Sequence, residues 1–98
     1  VKAKYSAQAF DGEGARLNGG RWNSPGSRVV YTSATASLAT LEILVHVKDR
    51  HLLRHYLLIP ADCPTSLILD LEDFATLPAD WRDHPPPPET QLIGDDLL

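Results

Sequence analysis

A chain of 98 residues, 43% apolar and 22% charged, has material for one small domain and no more. Its formal net charge of −4 argues against a grip on nucleic-acid phosphates or on an anionic membrane surface, both of which need a basic face. With a single cysteine, Cys63, it holds no internal disulfide, which fits a reducing, cytoplasmic setting, and no apolar run approaches bilayer-spanning length. The first residue is Val1 rather than methionine, so a fragment of a longer protein is an expectation from the outset.

Val1 to Gly14 reads as extended or irregular, with Phe10 plugging a core and Asp11-Gly12-Glu13-Gly14 forming a turn. Ala15-Arg16-Leu17 reads as a short extended piece. Asn18-Gly19-Gly20 and Asn23-Ser24-Pro25-Gly26 are turns, since glycine reaches positive φ at little cost. Between them Arg21-Trp22 sits on a short loop with two fixed ends, the usual way a scaffold presents a functional side chain. Arg28 to Thr32 is a strand by its β-branched and aromatic content. Ser33 or Thr35 caps a helix running from about Ala36 to Lys48, whose Leu38, Leu41, Leu44, Val45 and Val47 cover more than one stripe and predict packing on two sides. Lys48 and Arg50 near its C-terminal end suit the helix dipole.

His55 to Pro60 reads as a second strand, Ala61 to Pro64 as a turn, and Ser66 to Leu71 as a third strand. Leu71 to Leu77 reads as a short helical turn that Pro78 ends. After the Ala79-Asp80-Trp81-Arg82 cluster, Pro85 to Pro88 favours a polyproline II piece skirting the same domain. Thr90 to Leu98 is a terminal helix that Gly94 weakens.

Glu42 is the residue most in need of an explanation. Its helical neighbours Leu38, Ala39, Val45 and His46 include three apolar side chains. A carboxylate there needs a compensating partner, and Arg21 on the preceding turn is the nearest candidate. Such an acid, near a guanidinium and an aromatic ring, suits work on a cationic ring or an oxocarbenium-like centre. The alternative is a structural ion pair or a solvated helix edge. Arg21 is either an anion clamp or a surface arginine stacked on Trp22, and Tyr31 either stacks on a flat ring or is a core tyrosine with a wet hydroxyl. The glycines match neither a P-loop nor a dinucleotide fingerprint. His51 and His55 lack a third ligand, so no metal is expected, and Cys63 has no basic neighbour to activate it.

The stretch GARLNGGRWNSPGSRVVYTSATASLATLEILVH resembles the RES domain, the toxin of bacterial Xre–RES toxin–antitoxin pairs. The later YLLIP, SLILDL, LPADWR, proline-rich and TQLIGDD pieces resemble it as well. The resemblance implies an α+β fold, a small mixed sheet with a buried helix like that of ADP-ribosyltransferases, in a single domain over residues 1–98 that is incomplete at its C-terminal end. It implies an NAD+-consuming toxin that breaks the nicotinamide–ribose bond by hydrolysis, phosphorolysis or ADP-ribosyl transfer. On this reading Arg21 and Glu42 are the catalytic pair, and Arg21, Trp22, Tyr31 and Ser33 contact NAD+, with Tyr31 stacked on nicotinamide. The expected partner is an Xre-type helix-turn-helix antitoxin, with a homodimer as the other candidate. No metal, direct nucleic-acid contact or membrane is expected. The family's serine lies beyond the Gly94-Asp95-Asp96 region, and no serine here carries over to it. The alternative is therefore an inactive NAD-binding or antitoxin-binding fragment.

Overall fold

The computed structural model describes residues 1–98. Its regular elements are three α-helices, α1 (Glu13–Asn18), α2 (Ala36–Leu44) and α3 (Pro88–Leu97), with 3₁₀ segments at Ala3–Gln8, Arg50–His55, Thr65–Leu67 and Leu71–Asp73. The chain divides into two compact units: Val1–Phe10 with Val30–Ala61, and Asp11–Val29 with Asp62–Leu98.

The expected mixed sheet is not formed. Backbone pairing outside the helices amounts to two isolated antiparallel bridges, Lys2 with Tyr56 and Gly20 with Asn23. Strand-like composition says only that a segment suits a pleated, half-buried surface, and a strand exists only through a partner. Arg28 to Thr32, His55 to Pro60 and Ser66 to Leu71 find no ladder, and Ser66 and Leu67 instead join the 3₁₀ segment Thr65–Leu67. The expected buried helix is overturned too. No apolar side chain in the chain is buried, and on α2 Leu41 is 57% and the following Val45 71% exposed. Phe10, expected in a core, is exposed as well.

In the first unit the N-terminal segment lies along residues 56–57. The Val1 ammonium donates to the Leu57 carbonyl at 3.1 Å, and the Leu57 N–H donates to the Val1 carbonyl at 2.7 Å. Of the two cap candidates, Thr35 starts α2: its Oγ1 accepts from the Leu38 N–H at 3.1 Å, satisfying one of the donors orphaned at a helix start. The helix stops at Leu44, short of Lys48, where the His46 and Val47 N–H groups both turn to the Ile43 carbonyl. The β-branched Val45 and Val47 at this point lower the preference for continuing. Asp49 then opens the Arg50–His55 segment by accepting from the His51 N–H at 2.9 Å, and that segment packs on α2.

The second unit is held by polar and backbone contacts. Asp11 accepts from the Glu13 N–H at 2.8 Å and opens α1, so Ala15-Arg16-Leu17 is helical rather than extended. Glu13 takes a two-pronged pair from Arg16, at 2.8 and 2.5 Å, and a further contact from Arg28 at 3.0 Å. Gly19 ends α1 at φ 70°, with its N–H on the Ala15 carbonyl, in the conformation that the Asn18-Gly19-Gly20 signal predicts. The second predicted turn is also present: Gly26 takes φ 111° and donates to the Arg16 carbonyl at 2.7 Å. Pro87 has φ −67° and ψ 149°, the polyproline II values, and Pro88 starts α3 at the position where a missing N–H costs nothing.

α3 is laid against the Gly20 to Ser24 turn. Gln91 Nε2 donates to the Gly20 carbonyl at 2.9 Å, and the Ser24 N–H donates to Asp95 Oδ1 at 2.9 Å. Gly94, buried, faces the Trp22 backbone: a Cβ there would overlap the Trp22 carbonyl oxygen and lie 2.6 Å from its carbon. The glycine that weakens the helix by composition is thus the one that lets it dock. Gly94→Ala is expected to cost about 1–3 kcal/mol through this overpacking, outweighing the alanine's gain in helix propensity. A lower urea midpoint checks it; a raised midpoint is the result of an open helix face.

Candidate functional site

Arg21 and Trp22 stand on the loop between α1 and the Asn23 turn, in the second unit. The loop is rigid for a local reason. Asn23 is fully buried, and its Nδ2 lies 2.9, 3.2 and 3.1 Å from the carbonyls of Ala15, Ser24 and Ser27. The Gly20 N–H closes the loop on the Asn23 carbonyl at 2.9 Å. Two fixed ends therefore hold Arg21-Trp22, as the paired turns in the sequence predict.

The Arg21 guanidinium is engaged with backbone. Its Nη1 donates to the carbonyls of Trp81 at 2.5 Å and of Asp83 at 2.9 Å. The half-buried Trp22 ring meets Trp81 at 5.9 Å between centroids and a tilt of 43°, within the range of favourable aromatic pairs. Arg82 lies over the other ring, its Cζ 4.6 Å from the Trp81 centroid. Arg21 Nη1 is thus tied to backbone carbonyls, and the guanidinium over Trp81 is that of Arg82.

Tyr31, Ser33 and Glu42 belong to the first unit. Tyr31 is exposed, Ser33 is half-buried two residues before the Thr35 cap, and Glu42 is exposed on α2. The expectation of a desolvated Glu42 is corrected here: Leu38, on the same helix face, is itself exposed, and water reaches the carboxylate. The apolar neighbours are present as read, but nothing covers them in this chain.

Two cavities lie elsewhere. One of about 460 Å³ in the first unit is lined by Lys2, Ala3, Lys4, Leu52, His55 and Tyr56. A cleft of about 380 Å³ in the second unit is bounded by Glu72, Leu77, Pro78 and Trp81 among others. None of the five candidate residues lines either of these. No group of three or more His, Cys, Asp or Glu side chains comes together in a way that could hold a metal ion, and no helix is long and apolar enough to cross a membrane.

Trp81, Gln91 and Asp95 are the residues that sequence reading passed over. The signal for Trp81 was a tryptophan in a polar, proline-flanked turn, a costly side chain to leave without a partner. Gln91 and Asp95 gave none, because their partners lie 71 residues away in the chain.

The family model described as RES domain matches residues 1–98. Among curated relatives, "Toxin Res" of Photorhabdus laumondii is 44% identical over 94 residues, covering 96% of this chain and 60% of that protein. "Toxin Res" of Yersinia enterocolitica is 37% identical over 98 residues, 100% of this chain and 64% of that protein. The "Prs ADP-ribosylating toxin" of a Sphingobium strain is 34% identical over 84 residues, 83% of this chain and 52% of that protein. No solved structure matches. The chain belongs to the RES domain family, and it spans between about half and two thirds of the length of these relatives.

Two carboxylates of the second unit are shifted. Arg16 donates to Glu13 and holds it below the usual carboxylate range, with the Arg28 charge adding to the effect. Hydrogen bonds from the Ser24 hydroxyl and N–H lower Asp95 in the same direction. Each group binds its proton less readily folded than unfolded. Their stabilisation is therefore complete above the ordinary carboxylate pKa and is lost as pH falls through the lowered folded values. Urea midpoints are expected to fall with acidification in that window, and Asp95→Asn to flatten that fall; an unchanged acid limb contradicts the assignment of Asp95.

Proposed function

We propose that this chain acts in NAD+ consumption by a bacterial toxin, breaking the bond between the nicotinamide nitrogen and ribose C1′. The support is its match to the RES domain over the whole chain, together with a relative named as an ADP-ribosylating toxin, since ADP-ribose is donated from NAD+. The bonding electrons leave with nicotinamide, which departs neutral because its ring nitrogen was formally cationic. An acceptor oxygen, from water, phosphate or a protein side chain, forms the new bond to C1′ and gives up its proton.

Glu42 is assigned to the positive charge that develops on the ribose, as an ionised carboxylate serves in glycoside cleavage. Tyr31 supplies a flat face to nicotinamide, Trp22 and Ser33 add contacts, and Arg21 brings positive charge to the pyrophosphate or ribose side. A helix-turn-helix antitoxin of the Xre type is the proposed partner, and the exposed leucines of α2 offer apolar surface to it.

The exposed Glu42 and the carbonyl-bound Arg21 favour a second reading, a module that binds NAD+ without turning it over. Incubation with NAD+ separates the two. Nicotinamide release is expected, falling by about 10² or more in Glu42→Ala. Equally slow release by wild type and variant, with or without phosphate, contradicts catalysis, and saturable NAD+ binding without release selects the second reading.

A further inference from the structure

Arg21 spends one nitrogen on two carbonyls of a single turn, and this arrangement has a consequence for Trp81. Residues 78–83 form consecutive turns: the Trp81 N–H donates to the Pro78 carbonyl at 3.0 Å and the Asp83 N–H to the Asp80 carbonyl at 2.9 Å. This conformation turns the carbonyls of Trp81 and Asp83 to one point, where Arg21 Nη1 meets both. The residue after Arg21 is Trp22, and the residue that accepts at 2.5 Å is Trp81 itself. Tying the Arg21 side chain to backbone 81 therefore keeps the two indoles together, at 5.9 Å between centroids. Trp81 in turn forms one wall of the 380 Å³ cleft with Leu77 and Pro78. Hydrogen bonds from a charged donor to carbonyls are stronger than neutral ones, so a single side chain suffices to hold the turn.

We propose that Arg21 is a positioning residue that acts through Trp81: its guanidinium fixes the Trp81–Asp83 turn so that the indole of Trp81 stands beside Trp22, and Trp81 there offers a flat face to a ring of the dinucleotide. The last clause rests on the NAD+ reading; the positioning itself does not. It also gives the arginine a task that a pyrophosphate clamp would not require, since its Nη1 protons are used within the protein.

Two indoles at this distance and tilt give an exciton couplet in circular dichroism, isolated by subtracting the spectrum of Trp81→Phe. Without NAD+, Arg21→Met is expected to lose the couplet while the helical signal remains. Arg21→Lys, with three N–H donors on one nitrogen, is expected to retain it. With NAD+, Trp81→Phe is expected to raise KM, or the Kd where there is no turnover, several-fold. The double variant Arg21→Met with Trp81→Phe is expected to bind no more weakly than Arg21→Met alone.

An intact couplet in folded Arg21→Met overturns the positioning role. So does an intact couplet in folded Arg21→Ala, which decides the matter if the methionine variant does not fold. Unchanged NAD+ affinity in Trp81→Phe, or additive losses in the double variant, overturns the role of Trp81 in binding. Wild type that neither binds nor cleaves NAD+ refutes the NAD+ reading and with it that role, and leaves the couplet to judge the positioning.

Discussion

A single buried amide, the side chain of Asn23, organises the second unit. It gathers the carbonyls of Ala15, Ser24 and Ser27, which belong to the end of α1 and to both sides of the following turn. Its two protons serve three acceptors, so one is shared. A typical hydrogen bond contributes about 0.5–1.5 kcal/mol net, and this fully buried amide reaches several acceptors from one position. The Gly20 to Ser24 backbone, held in this way, supplies the surface on which α3 docks and the base from which Arg21 and Trp22 project.

The cohesion of this unit comes from directional contacts. With no buried apolar side chain, area burial explains little of it. What remains is a sequence of specific pairings: Glu13 with Arg16 and Arg28, Arg21 with Trp81 and Asp83, Gln91 with Gly20, Asp95 with Ser24. Each depends on geometry rather than on bulk hydrophobicity. Close approach is equally necessary, and Gly94 provides it by leaving room for the Trp22 carbonyl. In the first unit α2 is capped and terminated correctly by its own residues but is left open along its apolar flanks.

What could be read in the sequence divides along this line. Local signals were legible: the glycine turns at Gly19 and Gly26, the Thr35 cap, the start of the Ala36 helix and the terminal helix; of the expected polyproline run Pro87 alone shows the extended values, with Pro88 already helical, and the helical turn from Leu71 stops at Asp73 rather than at Pro78. Such signals depend on a residue and its near neighbours. The strands were not legible, because Val29 to Tyr31 or Leu67 to Leu69 have strand-like composition while pairing requires a partner that composition cannot supply. The burial of Glu42 was misjudged for the same reason: an apolar helix face indicates what a helix would prefer to cover, and here Leu38 and Leu41 remain exposed. Family membership was legible from the Gly19 to Asn23 motif and its continuation, and the match over residues 1–98 agrees with it. The partners of Arg21 were not, since a guanidinium on a tight loop gives no sign of which carbonyls, 60 and 62 residues away, will meet it.

Amide hydrogen exchange tests the central role of the Asn23 turn most directly. The N–H groups of Gly20, Ser24 and Gly26, bonded respectively to the Asn23 carbonyl, Asp95 and the Arg16 carbonyl, should be among the slowest to exchange in the chain, and should speed up together in Asn23→Ala. If they exchange as fast as the irregular stretch Tyr31 to Ser33, or if the slowest amides lie in α2 and are unmoved by loss of Asn23, the turn is not what the unit is built on.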